Sequence, residues 1–148
     1  GAWAIPTFAP KLLERGTVDA TKVSVSTKTV LLAAVDASPM AVQVLTATAT
    51  LARLSESDVI VLHVQPQTNL ADVAHLSQLS QKCLADIRYR FEVVSGIIAE
   101  EILAVASANS ATDIVLGKSD VSQSSSMARA VIEASLCRVL VVPRRPVT

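Results

Sequence analysis

The chain has 148 residues, of which 51% are hydrophobic and only 3% aromatic, and its 13 Lys and Arg residues balance its 13 Asp and Glu residues. This length and composition suit one domain with a core of Ala, Val, Leu and Ile. Zero net charge and few aromatic side chains argue against nucleic acid as a partner, and the apolar runs, far shorter than the roughly 20 residues that cross a bilayer, argue against direct membrane insertion.

Residues 1–27 are predicted to be an N-terminal extension or linker. Pro6, Pro10 and Gly16 interrupt its short apolar groups, so we expect at most a short helix in it. Its large apolar residues could pack back on the domain, cover a partner, or be the remnant of a preceding domain. The chain lacks an initiator Met and a secretory signal pattern, which fits either a cytoplasmic protein or a cytosolic domain cut from a longer one.

An unbroken apolar run at residues 29–35, TVLLAAV, predicts a central strand that is covered on both faces. Ser38 followed by Pro39 predicts a helix start, with the serine hydroxyl as N-cap and the proline in the first helical position. Asp36 thus lies at the carboxyl end of a strand. Its carboxylate can face the hydroxyl groups of a ligand or a metal, or it can accept hydrogen bonds from loop and helix amides, and both interpretations stay open.

A second apolar run, at residues 58–64, predicts the next strand. No Ser, Cys or Asp constellation accompanies His63 near the end of this strand, so we interpret it as a hydrogen-bonded core histidine. Apolar residues then recur at spacings of three and four and predict a second helix: Leu76, Leu79, Cys83, Leu84 and Ile87. Residues 88–90, RYR, are expected to close this helix with positive charge.

Residues 91–96, FEVVSG, predict a short edge strand, and the helical spacing of apolar residues over 98–106 predicts a third helix. Glu100 and Glu101 lie in its first turn, where the helix dipole stabilises carboxylates. Adjacent positions on a helix point about 100° apart, so we do not interpret these two residues as a catalytic pair.

The last crossover consists of an apolar run at residues 114–116, a turn that opens with Gly117, a helical stretch, and a second apolar run at residues 139–142. A parallel unit of this kind places the turn at the carboxyl end of the sheet, where open α/β folds bind ligands. We therefore expect residues 117–126 to form the floor of a pocket. The whole pattern predicts a doubly wound α/β fold with a five-stranded parallel sheet and four helices.

Cysteine and histidine usage gives no support for a metal centre. Cys83 and Cys137 are isolated, with no CxxC motif and no nearby His, so neither a metal site nor a disulfide is expected. No nucleophile accompanied by a base or a metal triad is visible. We therefore expect no catalytic residue and no enzymatic activity.

The order and spacing of these segments resemble the universal stress protein family over roughly residues 28–143. The segments that carry the resemblance are TVLLAAVDAS, VIVLHV, GIIAEEILAVASANSATDIVLGKS and ASLCRVLVVP. The resemblance implies an adenine-nucleotide α-hydrolase-like fold with strand order 3-2-1-4-5 and a cytoplasmic, regulatory role in the stress response. Residues 144–148 would then form a C-terminal tail.

In the nucleotide-binding branch of that family, the loop after the fourth strand carries Gly, two residues, Gly, nine residues, then Gly followed by Ser or Thr. Such glycines let backbone amides approach phosphate oxygens. Here Gly117 matches the first glycine, Asp120 falls on the second, and the final pair falls on Ser125 and Ser126, so the loop is about five residues short. A carboxylate about 5 Å from a triphosphate costs on the order of a few kcal/mol, so we expect no ATP in the usual cradle.

The other positions that match the family would form only part of a nucleotide-binding site. It implies that Asp36 and Val64 face the ribose and the adenine. Four serines at the following helix start could hold AMP or a small anion, or could make only their own N-cap bonds, which is the favoured interpretation: Ser119, Ser124, Ser125 and Ser126. The expected cofactor is therefore none, with ATP or AMP as the alternative.

The last strand, residues 138–142, is a predicted edge, and a long apolar edge is an association surface unless it is covered. The resemblance implies that this strand pairs with its copy, so we expect a two-fold homodimer. The favoured function is a dimeric protein-interaction module of the stress response with a degenerate nucleotide pocket. The alternatives are an ATP- or AMP-binding switch that uses the short Ser-rich loop, and a cytosolic regulatory domain of a larger membrane transporter or sensor kinase.

Overall fold

The computed structural model describes residues 28–118 and 124–144, and the side chains of residues 28–118 and 127–144. The predicted extension at residues 1–27, the turn that holds Ser119 and Asp120, and residues 145–148 lie outside this part of the chain. The domain boundaries therefore stay predictions. Within the described ranges, no helix is both long and apolar enough to span a membrane.

Strands and helices alternate along the described chain. In order they are β1 (Val30–Val35), α1 (Met40–Ser55), β2 (Asp58–Gln65), α2 (Leu70–Cys83), β3 (Tyr89–Ser95), α3 (Ile98–Ala108), β4 (Asp113–Lys118), α4 (Ser124–Ala134) and β5 (Arg138–Pro143). Every strand pair is parallel, and the sheet order is β3-β2-β1-β4-β5. The predicted fold class and strand order are confirmed.

The central strand β1 contributes to a core on each face of the sheet. Leu31, Ala33 and Val35 belong to the buried cluster that includes residues of α1 and α2, while Val30 and Leu32 belong to the cluster that includes residues of α3 and α4. Successive side chains of a strand point to opposite faces, so both cores need an apolar residue from β1. This requirement explains why the run at residues 29–35 does not alternate with polar residues.

Helix α2 begins and ends earlier than its apolar spacing predicts. The Asn69 side chain accepts a hydrogen bond from the Asp72 amide at 3.2 Å and starts the helix at Leu70. The expectation that residues 88–90 close this helix is wrong, since β3 already begins at Tyr89. A turn separates the two elements, and in it Asp86 accepts a hydrogen bond from Arg53 Nε at 2.7 Å.

The residues predicted to close α2 have other partners. Tyr89 packs against the core cluster beneath α1 and α2, and burial raises the pKa of its hydroxyl. Arg90 forms an ion pair with Glu92 and donates to Asn109 Oδ1 at 2.8 Å. The charge pattern of residues 88–90 gave no information about the packing of the Tyr89 ring. This packing favours a place in the sheet over a place at the end of α2.

The amino ends of the strands carry ion pairs. Arg138 donates from Nε to Asp113 Oδ1 at 2.7 Å and joins the first residues of β4 and β5, which are also register partners. Lys28 Nζ lies 3.6 Å from Oδ1 of the buried Asp58 at the start of β2. Charged side chains therefore cover the sheet at the amino ends of these strands.

Helix α1 approaches β4 most closely at Gly117. A Cβ atom added there would lie 2.8 Å from Val44 Cγ2 and 3.4 Å from the Met40 Cβ and Cε atoms. The first of these distances is shorter than real Cβ contacts, so any larger residue would force the Val44 side chain, or α1 with it, to shift. Helix packing alone is a sufficient reason for glycine at this position.

We expect Gly117→Ala to lower the free energy of unfolding by about 1 to 3 kcal/mol, because the new methyl group collides with Val44. In the double variant with Val44→Ala the collision is absent, so the two losses should not add. Urea denaturation of both single variants and the double variant measures this coupling. Strictly additive losses would contradict the packing role of Gly117.

Candidate functional site

A cavity of about 60 Å³ opens at the carboxyl ends of β1, β2 and β4. The strand order reverses here, because β1 lies between β2 and β4, and open α/β sheets bind ligands at such a point. Three helices supply apolar walls: Met40, Ala41 and Val44 from α1, Ile98 and Ile102 from α3, and Met127 from α4.

Three of the residues predicted to bind a cofactor line this one cavity: Asp36, Val64 and Gly117. They follow or end three different strands and come together only because the strands are parallel neighbours. Ser124, Ser125 and Ser126 lie in the first turn of α4, and Ser119 lies outside the described residues. Ligand binding by any of these residues stays a prediction.

Asp36 is exposed at the cavity mouth and holds the turn that follows β1. Its Oδ1 atom accepts a hydrogen bond from the Ser38 amide at 2.9 Å, and Ser38 Oγ accepts one from the Met40 amide at 3.2 Å. Ser38 Oγ thus makes the capping hydrogen bond that was predicted, although Pro39 precedes the helix, which begins at Met40. Asp36 Oδ2 makes no hydrogen bond with any described residue.

Val64 and Gly117 meet the cavity as apolar surface. Val64 is only 7% exposed and belongs to the core cluster that includes residues of α3 and α4. Gly117 pairs with Val142 in the sheet, and the space above its Cα atom is filled by the Val44 side chain. Neither position offers a charge to a phosphate group.

His63 supports the end of β1 from the neighbouring strand. It is 4% exposed, and its Nδ1 atom lies 3.0 Å from the Val35 carbonyl oxygen, to which it donates a hydrogen bond. The prediction of a hydrogen-bonded core histidine is confirmed. Its buried Nε2 atom has no partner among the described residues. The bond fixes the backbone immediately before Asp36.

The cavity has a single ionisable lining side chain among the described residues, and a cation lies close by in the chain, because Lys118 follows the lining residue Gly117. Asp36 is the one ionisable side chain among its described lining residues. Glu100 and Glu101 lie in the first turn of α3, which also supplies the lining residue Ile98, but they do not line the cavity, and the Glu101 side chain packs against Gly96. The described residues include no group of three His, Cys, Asp or Glu side chains able to hold a metal ion.

Sequence patterns did not identify the residues that set the size of the cavity. The chain contains two methionines, Met40 and Met127, and both line it, from α1 and α4. Methionine is flexible and fills irregular gaps. That the sequence has only two methionines draws attention to them, but the sequence does not show that they lie at the same cavity.

Comparison with known proteins gives a consistent result. The sequence profile of the Universal stress protein family matches residues 28–143. One similar solved structure is the universal stress protein from Archaeoglobus fulgidus in complex with dAMP, with 21% identity, a TM-score of 0.61, and coverage of 78% of this chain and 98% of that one. A search of curated proteins finds no match.

Two further structures show the same fold. A family protein from Arabidopsis thaliana with AMP bound has 18% identity and a TM-score of 0.60, over 79% of this chain and 92% of that one. A universal stress protein in complex with cAMP has 16% identity and a TM-score of 0.68, over 81% and 100%. The profile match spans the entire described sheet, and with the matching strand order it shows that the chain belongs to the universal stress protein family.

Proposed function

We propose that this domain is a non-catalytic regulator of the stress response that acts through protein contacts as a homodimer, with a pocket that does not hold ATP. The observation that carries the proposal is the small volume of the cavity. For comparison, an engineered apolar cavity of about 150 Å³ binds benzene. At about 60 Å³ this cavity is well below that volume, so it would not enclose an adenine base, which is larger than benzene, unless Met40 and Met127 moved aside.

Charge supports the same conclusion. Asp36 is the one ionisable side chain among the described lining residues, and its carboxylate repels the phosphate groups of a nucleotide at close range. The predicted loop between β4 and α4 is short and has an acidic residue where the family motif has glycine. Size, charge and loop composition all disfavour a triphosphate.

A nucleotide switch is the second candidate, because two specific observations favour it. The similar structures named above were determined with dAMP, AMP and cAMP. In this chain, Asp36 and Val64, the residues expected to face ribose and adenine, line the same cavity. Flexible methionines could make room for a base at a modest cost.

We expect ATP, AMP and cAMP with Mg²⁺ at millimolar concentration to leave the melting temperature of the protein unchanged. A ligand at 100 times its dissociation constant would add about 2.7 kcal/mol, which raises the melting temperature of a chain of this size by roughly 5 to 10 °C. The A. fulgidus protein with dAMP is the positive control. A shift that disappears in Asp36→Ala would establish the switch instead.

The dimer proposal rests on the open edge of β5. This strand pairs only with β4 among the described strands, and Leu140 on it is 43% exposed. The Arg138 amide donates to the Thr112 carbonyl oxygen, at the start of β4, at 3.3 Å. Because backbone groups alternate sides along a strand, the amides of Val139 and Val141 point to the open edge. These outward groups are what a second copy of β5 would bind.

We expect Val141→Pro to convert the dimer to a monomer. Proline removes an N–H group on the open side of β5 but none of the bonds to β4, so the fold should persist. Sedimentation velocity measures the oligomeric state, and circular dichroism confirms folding. Val141→Ala, which keeps the amide, is the matched control and should stay dimeric. A folded proline variant that still dimerises would place the interface elsewhere.

A further inference from the structure

We propose that the cavity binds a small primary ammonium ion with a short alkyl tail, with the tail inside the cavity and the ammonium group on Asp36. The inference rests on the proposed function in one respect, namely that no nucleotide occupies the cavity. It assigns to the same site a ligand class of opposite charge.

The walls determine the tail. The side chains that face the cavity from the helices are all apolar, and they include both methionines of the chain. An apolar cavity excludes water and favours an apolar occupant. The cavity has about 60 Å³, compared with about 150 Å³ in an engineered cavity that binds benzene, so it has room for a few methylene groups but does not enclose a ring.

The mouth determines the head group. The Ser38 amide holds Asp36 Oδ1, so the carboxylate is oriented, and Asp36 Oδ2 has no partner among the described residues. An ammonium group can donate to this oxygen while its other hydrogens stay hydrated, because Asp36 is exposed.

Two features near the cavity favour an anion over a cation. The exposed Lys118 directly follows the lining residue Gly117. The amino end of α4, where Met127 lies in the first turn, carries the positive end of a helix dipole. A carboxylate ligand would exploit this dipole, whereas an ammonium ligand would exploit Asp36. An experiment with ligands of equal size and different charge therefore separates the two.

The two methionines make the experiment direct. Protein labelled with ¹³C in the methionine methyl groups gives signals from Met40 and Met127, and both residues line the cavity. The probes are n-butylammonium, 1-butanol and butyrate, titrated at pH 7 in the same buffer. We expect both methyl signals to shift and saturate with butylammonium in the millimolar range, to shift less with butanol, and to stay unchanged with butyrate.

Asp36→Asn tests the head group. The asparagine oxygen can still accept from the Ser38 amide, so the turn is kept while the charge is lost. We expect the affinity for butylammonium to fall at least tenfold and that for butanol to stay the same. Asp72→Asn, which removes a carboxylate in the first turn of α2, is the matched control and should bind butylammonium like the parent protein.

Met127→Ala tests the tail. The parent protein should prefer butylammonium to benzylammonium, and the enlarged cavity of the variant should reverse this preference.

Three results would each overturn the proposal: no saturable shift with butylammonium, binding of butyrate as tight as that of butylammonium, or equal affinity in Asp36→Asn. The nucleotide titration distinguishes failure of the amine proposal from failure of the proposed function. A cavity that takes neither amine nor nucleotide refutes only the amine proposal, whereas a cavity that takes ATP refutes both.

Discussion

The double burial of β1 is the constraint on which the rest of the molecule depends. This strand is bonded to β2 on one side and β4 on the other, and it supplies side chains to both cores. Because the chain runs outward from β1 in both directions, helices must cover both faces, and a gap opens between them where the directions diverge. The cavity is that gap. Its position thus follows from the sheet order, and its chemistry follows from the side chains that happen to face it.

Much of the fold was predictable because its signals are local. The unbroken apolar runs at β1, β2 and β4 reflect burial on both faces, and Ser38 with Pro39 marks the start of α1 through a hydrogen bond that spans two residues. The end of α2 was not predictable in the same way. Arg88 and its neighbours read as a basic helix terminus, but packing of Tyr89 on a core formed by distant residues assigns them to β3.

The same distinction between local signals and long-range packing applies to the residues of the candidate site. Asp36, Val64 and Gly117 could be identified because each lies at the end of a strand, and the ends of parallel strands meet. The reason for glycine at residue 117 could not be found from the sequence, because the atom it avoids belongs to Val44, far away in the chain. The methionine walls were missed for a related reason. They come from two helices whose separation across the cavity is a property of tertiary packing alone.

Because the sheet is parallel, all strands start at one end of the domain and finish at the other, and these two ends, or poles, differ. The first described residue, Lys28, lies at the pole where ion pairs join the strand starts, whereas β5 finishes at the other pole, with Pro143 beside Lys118. Six residues of strand separate the poles by roughly 20 Å. Any unit attached ahead of Lys28 would therefore join the domain on its far side. A unit attached beyond Arg144 would begin at the end of the sheet where the cavity opens.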